Sequence, residues 1–192
     1  TYAGLKFGLL INTLNNELFP TRGINWYSEF SEMRPLTHNT NDLTKIQSDM
    51  VVYSSLNDPA RVVSVLRLGG GHIFSRNFQY FQAMNLGANN FLRGFRKNRF
   101  SGHSLAYGSL EFRIRLFDSK NYVIPGQVGL VVFNDVGRVW YDGESSKKWH
   151  YAYGGGFYLV PYNMVLVSAT IAFSKEEQVF NFTIGTKLNL TF

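Results

Sequence analysis

Apolar and polar residues alternate along nine stretches of this chain, most regularly in the last. Between 179 and 192, Phe180, Phe182, Ile184, Leu188, Leu190 and Phe192 share one parity, and Asn181, Thr183, Gly185, Lys187, Asn189 and Thr191 share the other. Successive side chains of a strand point to opposite faces, so this segment is a strand with one greasy face and one wet face. The same period places strands near 5–13, 23–33, 46–56, 61–71, 104–117, 126–136, 150–160 and 164–174. No stretch carries a convincing helical period.

The strand expected at 104–117 decides which face is wet. Leu110, Phe112, Ile114 and Leu116 fall on one side, and Ser109, Glu111, Arg113 and Arg115 on the other. Three charges on one strand face need water or partners. A small soluble barrel fills its interior with apolar side chains, whereas a wide membrane barrel has a polar lumen and presents its apolar face to lipid. The expectation is therefore an all-β protein, an antiparallel transmembrane β-barrel. Connections at 57–59 and 160–163 are short, while 118–125 and 137–149 are longer. Short turns on one side of a membrane and long loops on the other would fit, except that 118–125 and 137–149 are consecutive. Residues 72–103 show no sustained period and are too long for an idle connection, which marks them as a candidate functional loop.

The composition fits one unit of 192 residues, with strands in 1–71, the loop in 72–103 and five further strands in 104–192. Apolar runs such as 129–133 fall far short of the roughly 20 residues of a membrane-spanning helix. The mean hydropathy of −0.12 is still compatible with a membrane, because alternating strands average to neutral. Aromatic residues make up 16%, as interfacial girdles would need. The net charge of +6 is scattered rather than clustered, which argues against nucleic acid as a partner. The chain starts at Thr1 with no leader, so it is expected to be the tail of something longer.

Candidate catalytic chemistry is poor. Cysteine is absent, and His38, His72, His103 and His150 lack metal-ligand spacing. His103-Ser104 has no third group to orient it, and Glu176-Glu177 reads as a solvated turn. The glycine triplets at 69–71 and 154–156 lack the helix and lysine of a phosphate loop, and mark bends or close approach within strands. No catalytic residue, cofactor or metal is expected.

Four motifs occur in order. They are Leu92-Arg93-Gly94-Phe95, followed by the basic stretch at 96–100; Ser109-Leu110-Glu111-Phe112; the segment at 132–140 around Phe133-Asn134-Asp135; and Thr183-x-Gly185-x-x-Leu188-x-Leu190 before Phe192. Their order and spacing resemble the C-terminal part of the BamA/TamA-type barrels, the bacterial surface-antigen superfamily of outer-membrane assembly and translocation proteins. The resemblance implies a barrel of about sixteen strands, of which this chain would be roughly the last nine, with POTRA domains upstream. It also implies residence in the outer membrane of a Gram-negative bacterium. The partners would be outer-membrane lipids and lipopolysaccharide, and outer-membrane or secreted proteins as substrates.

In that family the Arg-Gly-aromatic loop folds into the lumen, and the carry-over names Arg93, Gly94, Phe95, Glu111, Phe133 and Asp135 as a lock. The chemistry is sound on its own terms: a guanidinium stripped of water is stabilised by carboxylates that receive its fork, and an aromatic face can take its flat side. Gly94 would permit a tight tip. The terminal strand resembles an assembly signal carried by Thr183, Gly185, Leu188, Leu190 and Phe192, with leucines standing where aromatics are usual and Gly185 expected to weaken and kink it. An alternative implied by the same superfamily is a barrel that anchors or exports an upstream enzyme domain, a patatin-like lipase or a metallophosphoesterase. A passive porin is a third.

Overall fold

A computed structural model of the protein describes residues 2–36, 42–75, 78–87, 91–119, 125–141 and 148–186. The strands are β1 (Tyr2–Asn12), β2 (Gly23–Pro35), β3 (Leu43–Ser55), β4 (Val62–Ile73), β5 (Met84–Leu86), β6 (Phe100–Gly102), β7 (Ser104–Ser119), β8 (Gly126–Trp140), β9 (His150–Pro161), β10 (Val165–Ser174) and β11 (Gln178–Thr186). The nine long strands form one antiparallel sheet in the order β1-β2-β3-β4-β7-β8-β9-β10-β11. They are the nine that alternation predicts. The period ends β8 at 136, but it continues to Trp140 because residues 137–140 pair with 104–107 of β7. The short pair β5 and β6 forms the stem of the long loop, whose sequence shows no period.

An up-and-down order assigns every connection to an end. The β2–β3, β4–β7, β8–β9 and β10–β11 connections leave the sheet at one end, and the β1–β2, β3–β4, β7–β8 and β9–β10 connections at the other. The two consecutive longer connections therefore face opposite ways, and length does not sort cleanly by end. The physical reason is that 13–22 folds inward: Leu18 and Phe19 pack against a cluster on β8, β9 and β10.

The two faces differ as the charges on β7 require. On the outer face Leu5, Phe7, Leu66, Leu110, Phe157, Phe182 and Ile184 are exposed. One polar trio there is satisfied internally: the Ser28 and Ser48 hydroxyls are 2.7 Å apart and Trp26 Nε1 donates to Ser48 Oγ at 3.0 Å. That is what an apolar solvent demands. Trp140, Tyr141, Trp149 and Tyr151 gather at the loop end of β8 and β9, where an interfacial belt would sit. No described helix is long and apolar enough to cross a membrane, which says nothing of strands.

The inner face is less wet than alternation implies. Val51, Val63 and Val65 form one apolar cluster on it, and Val131, Phe133, Tyr158, Val160 and Ala172 form another. Inward-folded segments cover much of this surface, so apolar side chains there are packed rather than solvated. A half-open cavity of about 800 Å³ on the inner face is lined by Arg67, Arg93, Glu111, Arg113 and Asp135.

Candidate lumen latch

Register places the receiving groups before the loop arrives. β7 and β8 pair with Ser109 opposite Asp135 and Glu111 opposite Phe133, so these four side chains form a compact square on the inner face. The loop then drops Arg93 onto it. Arg93 Nε donates to Asp135 Oδ2 at 2.9 Å and Nη2 to Oδ1 at 2.8 Å, the bidentate fork that a planar guanidinium favours. Nη1 donates to Glu111 Oε2 at 2.5 Å and Nη2 also to Ser109 Oγ at 3.0 Å. The Arg93 Cζ stands 3.5 Å from the centroid of the Phe133 ring. The backbone is held too, with the Arg93 amide donating to Asp135 Oδ2 at 3.1 Å and Asn181 Nδ2 donating to the Arg93 carbonyl at 3.3 Å.

Asp135 is 1% exposed, and such a charge persists only because it is received from several sides. Ser109 Oγ supplies one more donor to Asp135 Oδ1 at 2.7 Å. Burial pulls the pKa of the Arg93 guanidinium down, yet hydrogen bonding to Asp135 and the charges of Asp135 and Glu111 outweigh it and leave it above its ordinary value. Glu111 is shared: its Oε1 accepts from Arg113 Nε at 2.8 Å. Two arginines therefore balance two carboxylates.

Gly94 serves close approach rather than an unusual backbone. A Cβ there would lie 2.7 Å from the Ala152 Cβ and 3.0 Å from the Phe173 carbonyl oxygen. Its lack of a side chain lets the tip touch β9 and β10. Phe95, 2% exposed, is the anchor of the tip, packed with Leu86, Leu92 and Ala152 and set edge-on to Phe100 at 5.2 Å. The glycines of β4 and β9 make room in the same way: the Phe133 ring passes over Gly154, whose Cβ would meet it at 2.7 Å, and the Tyr107 ring lies over Gly69.

Other contacts of the loop carry no sequence motif. Arg67 forms a fork to Asp49 at 2.8 and 2.7 Å, and Tyr107 Oη donates to the same carboxylate at 2.7 Å. Phe91, at φ 73°, stacks on Tyr107 at 4.0 Å with the Arg67 guanidinium 4.1 Å from its ring. The parity of β3 and β4 already puts Asp49 and Arg67 on the inner face, but nothing in the sequence marks Phe91. Glu176 and Glu177 are not simply solvated. They receive Arg99 at 2.8 Å and Arg96 at 3.0 Å from the loop, because the turn between β10 and β11 sits at the loop end.

The terminal-strand residues divide. Thr183 and Gly185 lie on the inner face of β11, opposite Ser168 and Leu166. The β10–β11 ladder runs through Gly185 without a register shift. Leu188, Leu190 and Phe192 lie outside the described residues. Ser104 pairs with His72, its Oγ 2.6 Å from Nδ1, rather than with the neighbouring His103; no carboxylate orients that ring among the described residues. Nor do these residues bring together three potential metal ligands.

Comparison with solved structures places this architecture. The sheet superposes on the crystal structure of BamA from Haemophilus ducreyi lacking POTRA domains 1–3 with a TM-score of 0.79 at 21% identity. The match covers 95% of this chain and 42% of that protein, so the chain spans about two fifths of its length. No curated relative matches. The model of the Omp85 superfamily domain matches residues 2–188, and with a match of that extent the chain belongs to the Omp85 superfamily.

Proposed function

We propose that this chain forms the wall of an outer-membrane barrel that inserts proteins into the outer membrane of a Gram-negative bacterium or moves them across it. In this reading the loop at 74–103 is fixed in the lumen by Arg93. The observation that carries it is the capture of Arg93 by Asp135, Glu111, Ser109 and the Phe133 ring. Asp135 is buried on the inner wall and Glu111 is largely covered beside it. With Arg113 already paired to Glu111, they leave room for one further cation, which the loop delivers as Arg93. Breaking such a buried pair from one side costs about 3–5 kcal/mol, enough to shift docking of the loop by about two to four orders of magnitude. Lipids and lipopolysaccharide would meet the apolar outer face, POTRA domains would lie upstream, and substrate strands would add to a sheet edge through their main chain.

The test is complementation by the full protein, with outer-membrane protein levels as the readout. Arg93→Ala is expected to lose most assembly activity, and Arg93→Lys to lose part of it, since a lysine cannot make the fork. Wild-type activity of both variants, in a barrel whose folding is shown by heat-modifiable migration, would overturn the latch.

A further inference from the structure

The connection at 13–22 reaches the latch from the opposite end of the sheet. It is a shaped turn. Asn15 Oδ1 accepts from the amides of Thr21 and Arg22 at 3.1 Å each, and Asn16 Oδ1 accepts from those of Leu18 and Phe19 at 3.0 and 3.1 Å. These side-chain caps do for the backbone what a ladder would do, and they fix the direction in which Leu18 and Phe19 point. Both point inward.

Two routes lead from Phe19 to Arg93. Along the first, the Arg113 guanidinium stands 5.0 Å from the Phe19 ring and 5.6 Å from the Tyr53 ring. Arg113 donates to Glu111, and the other oxygen of Glu111 takes Arg93. Along the second, Phe19 leans on Tyr158 at 4.9 Å, and with Leu18 packs on the cluster that contains Phe133, the ring beneath Arg93. The phenol end of Tyr158 passes over Gly129, where a Cβ would strike both it and the Ile114 carbonyl oxygen, so that glycine leaves room for the side chain that Phe19 rests on. Without Arg113, Arg93 would face Glu111 and Asp135 with one positive charge against two negative ones. Arg113 is therefore part of what makes the socket neutral, and Phe19 is part of what holds Arg113.

We infer that the 13–22 turn is a second inward-folded element of the lumen, and that Phe19 and Arg113 are positioning residues that hold the Arg93 latch closed from the other end of the sheet. This deepens the proposed function and rests on its latch. It requires that disturbing either end loosen the other, because a coupling free energy is reciprocal.

The test is amide hydrogen exchange of the full-length protein in lipid discs, followed in peptides covering 13–22 and 91–95. Phe19→Ala, and Phe19→Leu as the milder variant that keeps apolar bulk, are expected to speed exchange at 91–95 by about tenfold. Phe19→Tyr restores the ring and is expected to restore protection. Arg93→Ala is expected to speed exchange at 13–22 in return, while β3 and β4 stay protected in every variant that folds. If Arg93→Ala opens 91–95 but the Phe19 variants leave that segment at the wild-type rate, the coupling is wrong and the latch stands. If Arg93→Ala itself leaves 91–95 protected, the latch reading fails as well.

Discussion

Arg93 is held by geometry as much as by charge, and that separates its contribution from ordinary ion pairing. Arg96 and Arg99 also reach carboxylates of the barrel, but they are largely exposed, and pairs of that kind contribute about 0–1 kcal/mol each. Replacing Glu176 and Glu177 together by glutamine is expected to change stability by no more than about 2 kcal/mol in denaturant unfolding, and the change should shrink in high salt. Gly94→Ala is expected to do more harm despite adding one methyl group, because that methyl has no room between Ala152 and Phe173. The expected loss is about 1–3 kcal/mol, measured as destabilisation of the folded barrel and partly recovered by Ala152→Gly. Arg93, Gly94, Glu111, Phe133 and Asp135 are all visible in the sequence through their motifs and the parity of their strands. Phe91, Phe19 and Asn181 are not, since partners that far apart in the chain become neighbours only when the sheet curls.

At the scale of the element, strand parity does most of the work. A one-residue slip of β8 against β7 would turn Asp135 to the outer face and bring Asn134 inward, so the latch exists only in the observed register. Alternation finds all nine long strands because each turns one set of side chains inward and the other outward; in β1, at the edge of the sheet, both sets are exposed. It overestimates how wet the covered face is, since a pattern within one strand cannot report the segments that later fold over it. Val131 and Val160 read as exceptions to a polar face, yet they are the floor on which Leu18 and Phe19 rest. The glycines of β9 belong to the same logic. Gly154→Ala is expected to cost at least about 1–3 kcal/mol, because its methyl meets the Ile171 carbonyl oxygen of β10 as well as the Phe133 ring, and to displace Phe133 from Arg93, which would register as weaker protection of the 91–95 amides in hydrogen exchange.

For the whole molecule, the distribution of polarity is the central claim. Exposed Phe, Leu and Ile on one side of the sheet and paired charges on the other would be an unstable arrangement in water and a natural one in a bilayer. Net charge and mean hydropathy could not show this, because both average over the two faces. The most direct measurement is a nitroxide scan along β7 from 109 to 114 in the full protein reconstituted in lipid, reading collisions with oxygen and with a water-soluble nickel chelate. Labels at 110, 112 and 114 are expected to favour oxygen, and labels at 109, 111 and 113 to favour the chelate or to be shielded from both, with a period of two residues. Equal access of the chelate to both sets, or a reversed phase with 110 and 112 shielded inside, would contradict the assignment of lipid to the outer face.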